Sequence, residues 1–181
     1  TSDYSEFFAQ YNPFIGETAN SVFDVSAMFR QVSTITNHTD VAQQLHFNLV
    51  VNEGFISTGR IRLEEDDYLL SGFSSNVLVN DQSLWNTDVK IMSTVDRSEL
   101  LQSGTALSGN ESLGLAPNMS DMSSIHSFAW ESFQTTLPVI ALGVGESFTF
   151  EYNLYAFVEG QLGNCDRNCY RFSHAAINAP T

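Results

Sequence analysis

The chain has 181 residues, 43% of them hydrophobic. That excludes a disordered polymer and suffices for one packed domain without a metal or dense disulfides. Seven basic against twenty-one acidic residues leave a formal charge of −14, which argues against nucleic acid as a partner and disfavours anionic membrane surfaces. No apolar run approaches the ~20 residues of a membrane helix, and no signal peptide is visible, as fits a Thr1 left by processing or trimming.

Along the chain, residues 1–20 read as a separate N-terminal segment. Asp3 and Glu6 have the form of a capping box, Tyr4, Phe7, Phe8 and Tyr11 recur at helical spacing, and Pro13 would end a helix. A short amphipathic helix over 3–11, packed on the domain, is therefore expected. The alternative is an extended aromatic arm that inserts into a neighbouring molecule.

From residue 21 to 181 the dominant signal is period-two alternation, the mark of strands buried on one face. Phe23, Val25, Ala27 and Phe29 alternate with Asp24, Ser26, Met28 and Arg30. Leu45, Phe47, Leu49 and Val51 form a second such set. The clearest is Phe148, Phe150, Tyr152, Leu154, Ala156 and Val158, set against Thr149, Glu151, Asn153, Tyr155 and Phe157. Aromatics on its second face predict that this strand is covered on both sides over part of its length. Less regular strands read at 59–63, 68–73, 76–79, 89–95, 125–133, 139–144 and 170–178. Asn37-His38-Thr39-Asp40, Asn52-Glu53-Gly54, Asn80-Asp81, Gly143-Val144-Gly145-Glu146 and Gly163-Asn164 supply the turns between them. Residues 98–121, rich in Ser, Gly and Asn, read as a long loop. Many short strands without interleaved helices predict an all-β, antiparallel β-sandwich of jelly-roll type.

Three clusters bear on chemistry. Cys165 and Cys169 would lie about 13 Å apart in a straight strand, too far for a disulfide. A tight loop after Gly163-Asn164 would bring them within reach, and such a bridge points to an oxidising compartment. The competing idea is zinc with His174 as third ligand, for which no fourth ligand presents itself. Glu64, Glu65, Asp66 and Asp67 are hard oxygen ligands of the kind calcium takes, without the spacing of an EF-hand. The plainer reading is a solvated acidic turn that discourages edge-to-edge sheet pairing. The aromatic segment Tyr4, Phe7, Phe8, Tyr11 and Phe14 is the candidate for assembly contacts.

Catalytic signatures do not emerge. The chain has no Gly-x-Ser-x-Gly elbow, no His-Glu-x-x-His and no phosphate-binding glycine loop, and its histidines, His38, His46, His126 and His174, are dispersed. His46 falls between core positions and is expected to face solvent. Asn37-His38-Thr39, Asn110-Glu111-Ser112 and Asn118-Met119-Ser120 match the glycosylation sequon. Trp85 and Trp130 are candidates to stack on sugars, although core packing is the simpler role for Trp130 in its apolar strand.

Three stretches carry a family resemblance. Phe23-Asp24-Val25-Ser26-Ala27 leading to Thr36-Asn37-His38-Thr39-Asp40 looks like one strand and turn of exported Gram-negative β-proteins. Gly145-Glu146-Ser147-Phe148-Thr149-Phe150 with Tyr155-Ala156-Phe157-Val158 resembles their penultimate strand. Gly163-Asn164-Cys165-Asp166-Arg167-Asn168-Cys169 with Phe172-Ser173-His174 resembles their cysteine loop and last strand. The family is the exosortase-sorted, PEP-CTERM class, and the resemblance implies an exported β-sandwich of the cell surface or extracellular matrix. The chain stops at Ala179-Pro180-Thr181 without that class's Pro-Glu-Pro motif, membrane helix and basic tail. The expected function is a secreted, non-catalytic structural protein of the cell surface or extracellular matrix that self-assembles into filaments through subunit contacts involving its N-terminal segment. The alternative is a module binding surface polysaccharide or another ligand, with calcium as a candidate aid.

Overall fold

The computed structural model describes residues 6–11, 21–61, 63–115, 123–163 and 172–178. Numbered along the chain, the strands are β1 (Glu6–Tyr11), β2 (Ser21–Thr36), β3 (Gln43–Leu45), β4 (Asn48–Val51), β5 (Gly54–Ile61), β6 (Tyr68–Val79), β7 (Gln82–Thr94), β8 (Ser98–Gly104), β9 (Gly109–Leu115), β10 (Ser123–Trp130), β11 (Phe133–Thr136), β12 (Ile140–Leu142), β13 (Ser147–Leu162) and β14 (Phe172–Asn178). They form two five-stranded sheets, in the orders β1-β14-β5-β10-β9 and β2-β13-β6-β7-β8. Every pairing is antiparallel. The fold is an all-β sandwich with no helix among the described residues.

Alternation explains the layering. The odd-numbered side chains of β2 and the even-numbered ones of β13 point inward. Phe23 of β2 and Leu154, Ala156, Val158 and Leu162 of β13, with Leu69, Phe73, Val89 and Ile91 of the same sheet and Ile56, Phe128, Trp130 and Ala175 of the other, fill one core. Burial of a side chain such as Phe73, 1% exposed, stabilises the fold by about 2–3 kcal/mol. Trp130 stacks on Phe73 at 5.0 Å, and its indole N–H donates to the Asn52 carbonyl at 2.9 Å. A second cluster joins Leu49 and Val51 of β4 to Val77 of β6, Trp85 of β7 and Leu137 after β11, and the small pairs are β3–β12 and β4–β11.

Turn chemistry fixes the register. Asn80 and Asp81 join β6 to β7 with φ of 47° and 63°, the two-residue hairpin geometry that Asn and Asp tolerate. Asn37 does more than turn the chain. Its side-chain amide donates to the carbonyls of Val41, Leu142 and Gly143, and its oxygen accepts from the Thr39 N–H and hydroxyl.

Two expectations are corrected. Residues 6–11 are strand β1, paired with β14 from Glu6↔Asn178 to Tyr11↔Ser173. A six-pair ladder and the β preference of aromatics override the helical spacing; residues 3–5 of the expected helix, and with them Tyr4, lie outside the described residues. The expected loop over 98–121 contains β8 and β9, the outer strands at one side of the sandwich. Outer strands are wetted on more than one side, so the polar composition that reads as loop is what an edge requires.

Candidate functional site

The sandwich places two edges together. β1 and β2 are outermost in their own sheets and pack against each other across the layers. β2 is sixteen residues long and hydrogen-bonds to β13 along one side; among the described residues no strand pairs with its other side. A strand side of this kind presents a row of backbone N–H and C=O groups to which another strand can add. Apolar side chains accompany them: Val22 (77% exposed), Met28 (67%), Val32 (50%), Val25 and Phe29 (38% each).

Charges on the outer face of this edge are specific. Arg30 grips Glu151 of β13 through two bonds, Nε to Oε1 at 3.0 Å and Nη2 to Oε2 at 2.7 Å. The bond to Arg30, helped by the Asn153 amide, holds the Glu151 carboxyl below its ordinary range, and Glu151 in turn raises the Arg30 guanidinium. Asp24 is the register partner of Glu159, and no ion pair to either is found among the described residues.

At the opposite side, a polar relay crosses between the sheets. Glu111 of β9 meets His126 Nε2 at 2.8 Å, His126 Nδ1 meets the Ser98 hydroxyl at 2.7 Å, Ser98 meets Ser93 at 2.6 Å, and Ser93 meets Thr58 at 2.6 Å. A carboxylate can only accept, so Nε2 carries the hydrogen, and in the neutral ring Nδ1 accepts from Ser98. Ser98 then accepts from Ser93, and Ser93 from Thr58. The hydroxyl–imidazole–carboxylate order is that of a nucleophile, its base and an orienting acid. Here His126 is 2% exposed and Ser98 is also held by Ser93. An open hollow lined by Thr105, Ser108, Glu131, Ser132, Gln134 and Thr135 begins seven residues along from Ser98, roughly 23 Å at strand rise. The relay links β8 and β7 to β9, β10 and β5.

The residues singled out from sequence are scattered. Glu64, Glu65 and Asp66 lie exposed between β5 and β6, whereas Asp67 is buried. Its carboxylate accepts from the Glu64 and Gly163 N–H groups, so it pins the turn to the end of β13. Among the described residues no group of three or more His, Cys, Asp or Glu is arranged to hold a metal ion. Cys165, Cys169 and Phe14 lie outside the described residues, and with them the disulfide and zinc alternatives. His174 packs edge-on against Phe55 at 4.6 Å. Phe7, Phe8 and Tyr11 fall in β1. Trp85 and Trp130 are buried, which removes both from sugar stacking, and His46 is exposed as expected. The sequon residue Asn37 is buried and fully engaged, while Asn110 is exposed on β9. Nothing in the sequence announces the His126 relay, because its members are far apart in the chain and none belongs to a motif.

No protein-family profile, no curated protein and no solved structure matches the chain.

Proposed function

We propose that this protein is an exported, non-catalytic structural subunit of a cell surface or extracellular matrix, self-associating through its sheet edges with the N-terminal segment taking part. The observation that carries this is the side of β2 that pairs with no strand among the described residues, on a strand sixteen residues long with five exposed apolar side chains. Proteins that stay single blunt such an edge with lysine, proline, a bulge or a covering element. β2 has no lysine and no proline, and its pairing with β13 runs without a register shift. The aromatic strand β1 lies beside it, at the edge of the facing sheet. A strand held by one neighbour can exchange that neighbour for the same strand of another copy.

The test is electron microscopy with light scattering on the full chain over a concentration series. Ordered assemblies are expected, and deletion of residues 1–15 is expected to abolish them while circular dichroism keeps its β signature. A chain that stays monomeric at every concentration overturns the self-association; intact assemblies after deletion remove the N-terminal segment from it.

A further inference from the structure

We infer that β2 is a self-recognition edge: two copies pair antiparallel across a two-fold axis at Ala27, joining their second sheets into one ten-stranded sheet. This rests on the self-associating reading above and specifies its interface.

The strand is self-complementary about that residue. Antiparallel pairing centred on Ala27 sets Asp24 of one copy opposite Arg30 of the other, and Arg30 opposite Asp24. It also sets Val22 opposite Val32 and Val25 opposite Phe29, each twice by symmetry. All five exposed apolar residues of β2 lie in the span 22–32 that this register buries; the fifth, Met28, meets Ser26. Register partners share a face, so the two charge pairs and the Val22–Val32 pairs lie on the outer face. The Val25–Phe29 pairs continue the inner face beside Phe23, already part of the core. A two-fold axis perpendicular to the sheet keeps both cores on the same side of the joined sheet. A shift of one residue would turn the charges and apolar side chains to opposite faces of the two copies.

Electrostatics favours the same register. Asp24 stands opposite Glu159 within its own sheet, and like charges in register repel. The partner's Arg30 would arrive on the other side of Asp24 and neutralise that repulsion. Arg30 is still 56% exposed while bonded to Glu151, so its remaining N–H groups can donate to a second carboxylate. The pairing would add roughly ten main-chain hydrogen bonds along the side of β2 that pairs with no strand among the described residues.

The experiment is a charge-swap exchange on the full-length chain. Asp24→Arg places Arg against Arg across the axis, and Arg30→Asp places Asp against Asp. Each is expected to weaken the dimer at least about tenfold by sedimentation equilibrium. When the two variants are mixed, the introduced arginine of one chain meets the introduced aspartate of the other. The native Arg30 of the first chain meets the native Asp24 of the second, and a one-to-one heterodimer should return at wild-type strength. Val22→Lys, at a 77% exposed position, tests the same contact without touching any charge pair and should also weaken the dimer. Near-UV circular dichroism reports whether each variant is folded. Wild-type dimerisation by Val22→Lys and by both charge variants overturns the β2 interface while leaving self-association by another surface. Failure of the mixture to recover overturns the Ala27 register. A wild-type chain that never associates overturns both this interface and the function it rests on.

Discussion

Asp24 and Glu159 face each other across the β2–β13 ladder, two carboxylates in direct register on the outer face of the sandwich. Six residues along β2, Arg30 is committed to Glu151, so the cation that would suit Asp24 is spent elsewhere in the same copy. Directly opposed like charges cost a sheet about 0.2–1 kcal/mol. Glu159→Gln is therefore expected to stabilise the monomer by that amount, raising Tm by about 0.4–4 °C for a chain of this size. The gain should shrink in high salt, since exposed charges are screened. A fall in Tm at low salt would show that Glu159 has a stabilising partner and would remove the repulsion.

Gly72 and Phe157 make a different kind of pair. They are register partners on β6 and β13, and the Phe157 ring lies over the glycine, where an added Cβ would come within 2.2 Å of Cζ. Aromatic cover of a strand glycine restores the packing that glycine forfeits. It leaves Phe157 only 9% exposed on a face turned to solvent, with Lys90 Nζ 5.7 Å from its centroid. Gly72→Ala should evict the ring and destabilise by about 1–3 kcal/mol. In a Phe157→Ala background the same substitution should cost far less, because the two changes share one contact. Additive costs in urea denaturation would refute the account. Gly160 offers a contrast: there Phe23 covers the inner face, but the Tyr68 carbonyl also stands 2.7 Å from the added Cβ, and backbone yields less readily than a ring.

What the sequence made legible follows from where the physics is local. Period-two runs in β2 and β13 announce half-buried strands, and the aromatics on both faces of β13 anticipate the covered ring of Phe157. Asn80-Asp81 announces its own turn because positive φ is a property of two residues. Edge strands are harder: β8 and β9 are polar because they are wet, and wet strands share their composition with loops. β1 carries helical spacing that loses to a ladder with β14, a partner more than 160 residues away by register. Asn37 matches a sequon by composition, yet its amide is consumed by three carbonyls from two parts of the chain. The His126 relay is invisible for a related reason, since hydrogen bonds between sheets leave no periodic trace.

That relay also bears on whether the chain is catalytic. If Glu111, His126, Ser98, Ser93 and Thr58 fasten the sheets, His126→Ala takes the acceptor from the half-buried Ser98 hydroxyl and opens a void in place of the buried ring. Unsatisfied buried polar groups cost about 1–3 kcal/mol each, so a loss of about 2–4 kcal/mol in denaturant unfolding is expected, with earlier amide exchange in β8 and β9. Ser98→Ala should cost less, about 1–2 kcal/mol, because Ser93 can still turn its hydroxyl to Thr58. A nucleophile would behave in the opposite way. Ser98→Ala would leave stability nearly unchanged, and the native chain would hydrolyse activated esters and take up an organophosphonate at Ser98. Intact-mass measurement after phosphonate treatment separates the two: an unmodified chain fits the fastening role, and a single adduct lost in Ser98→Ala would make the relay a catalytic triad and overturn the non-catalytic function.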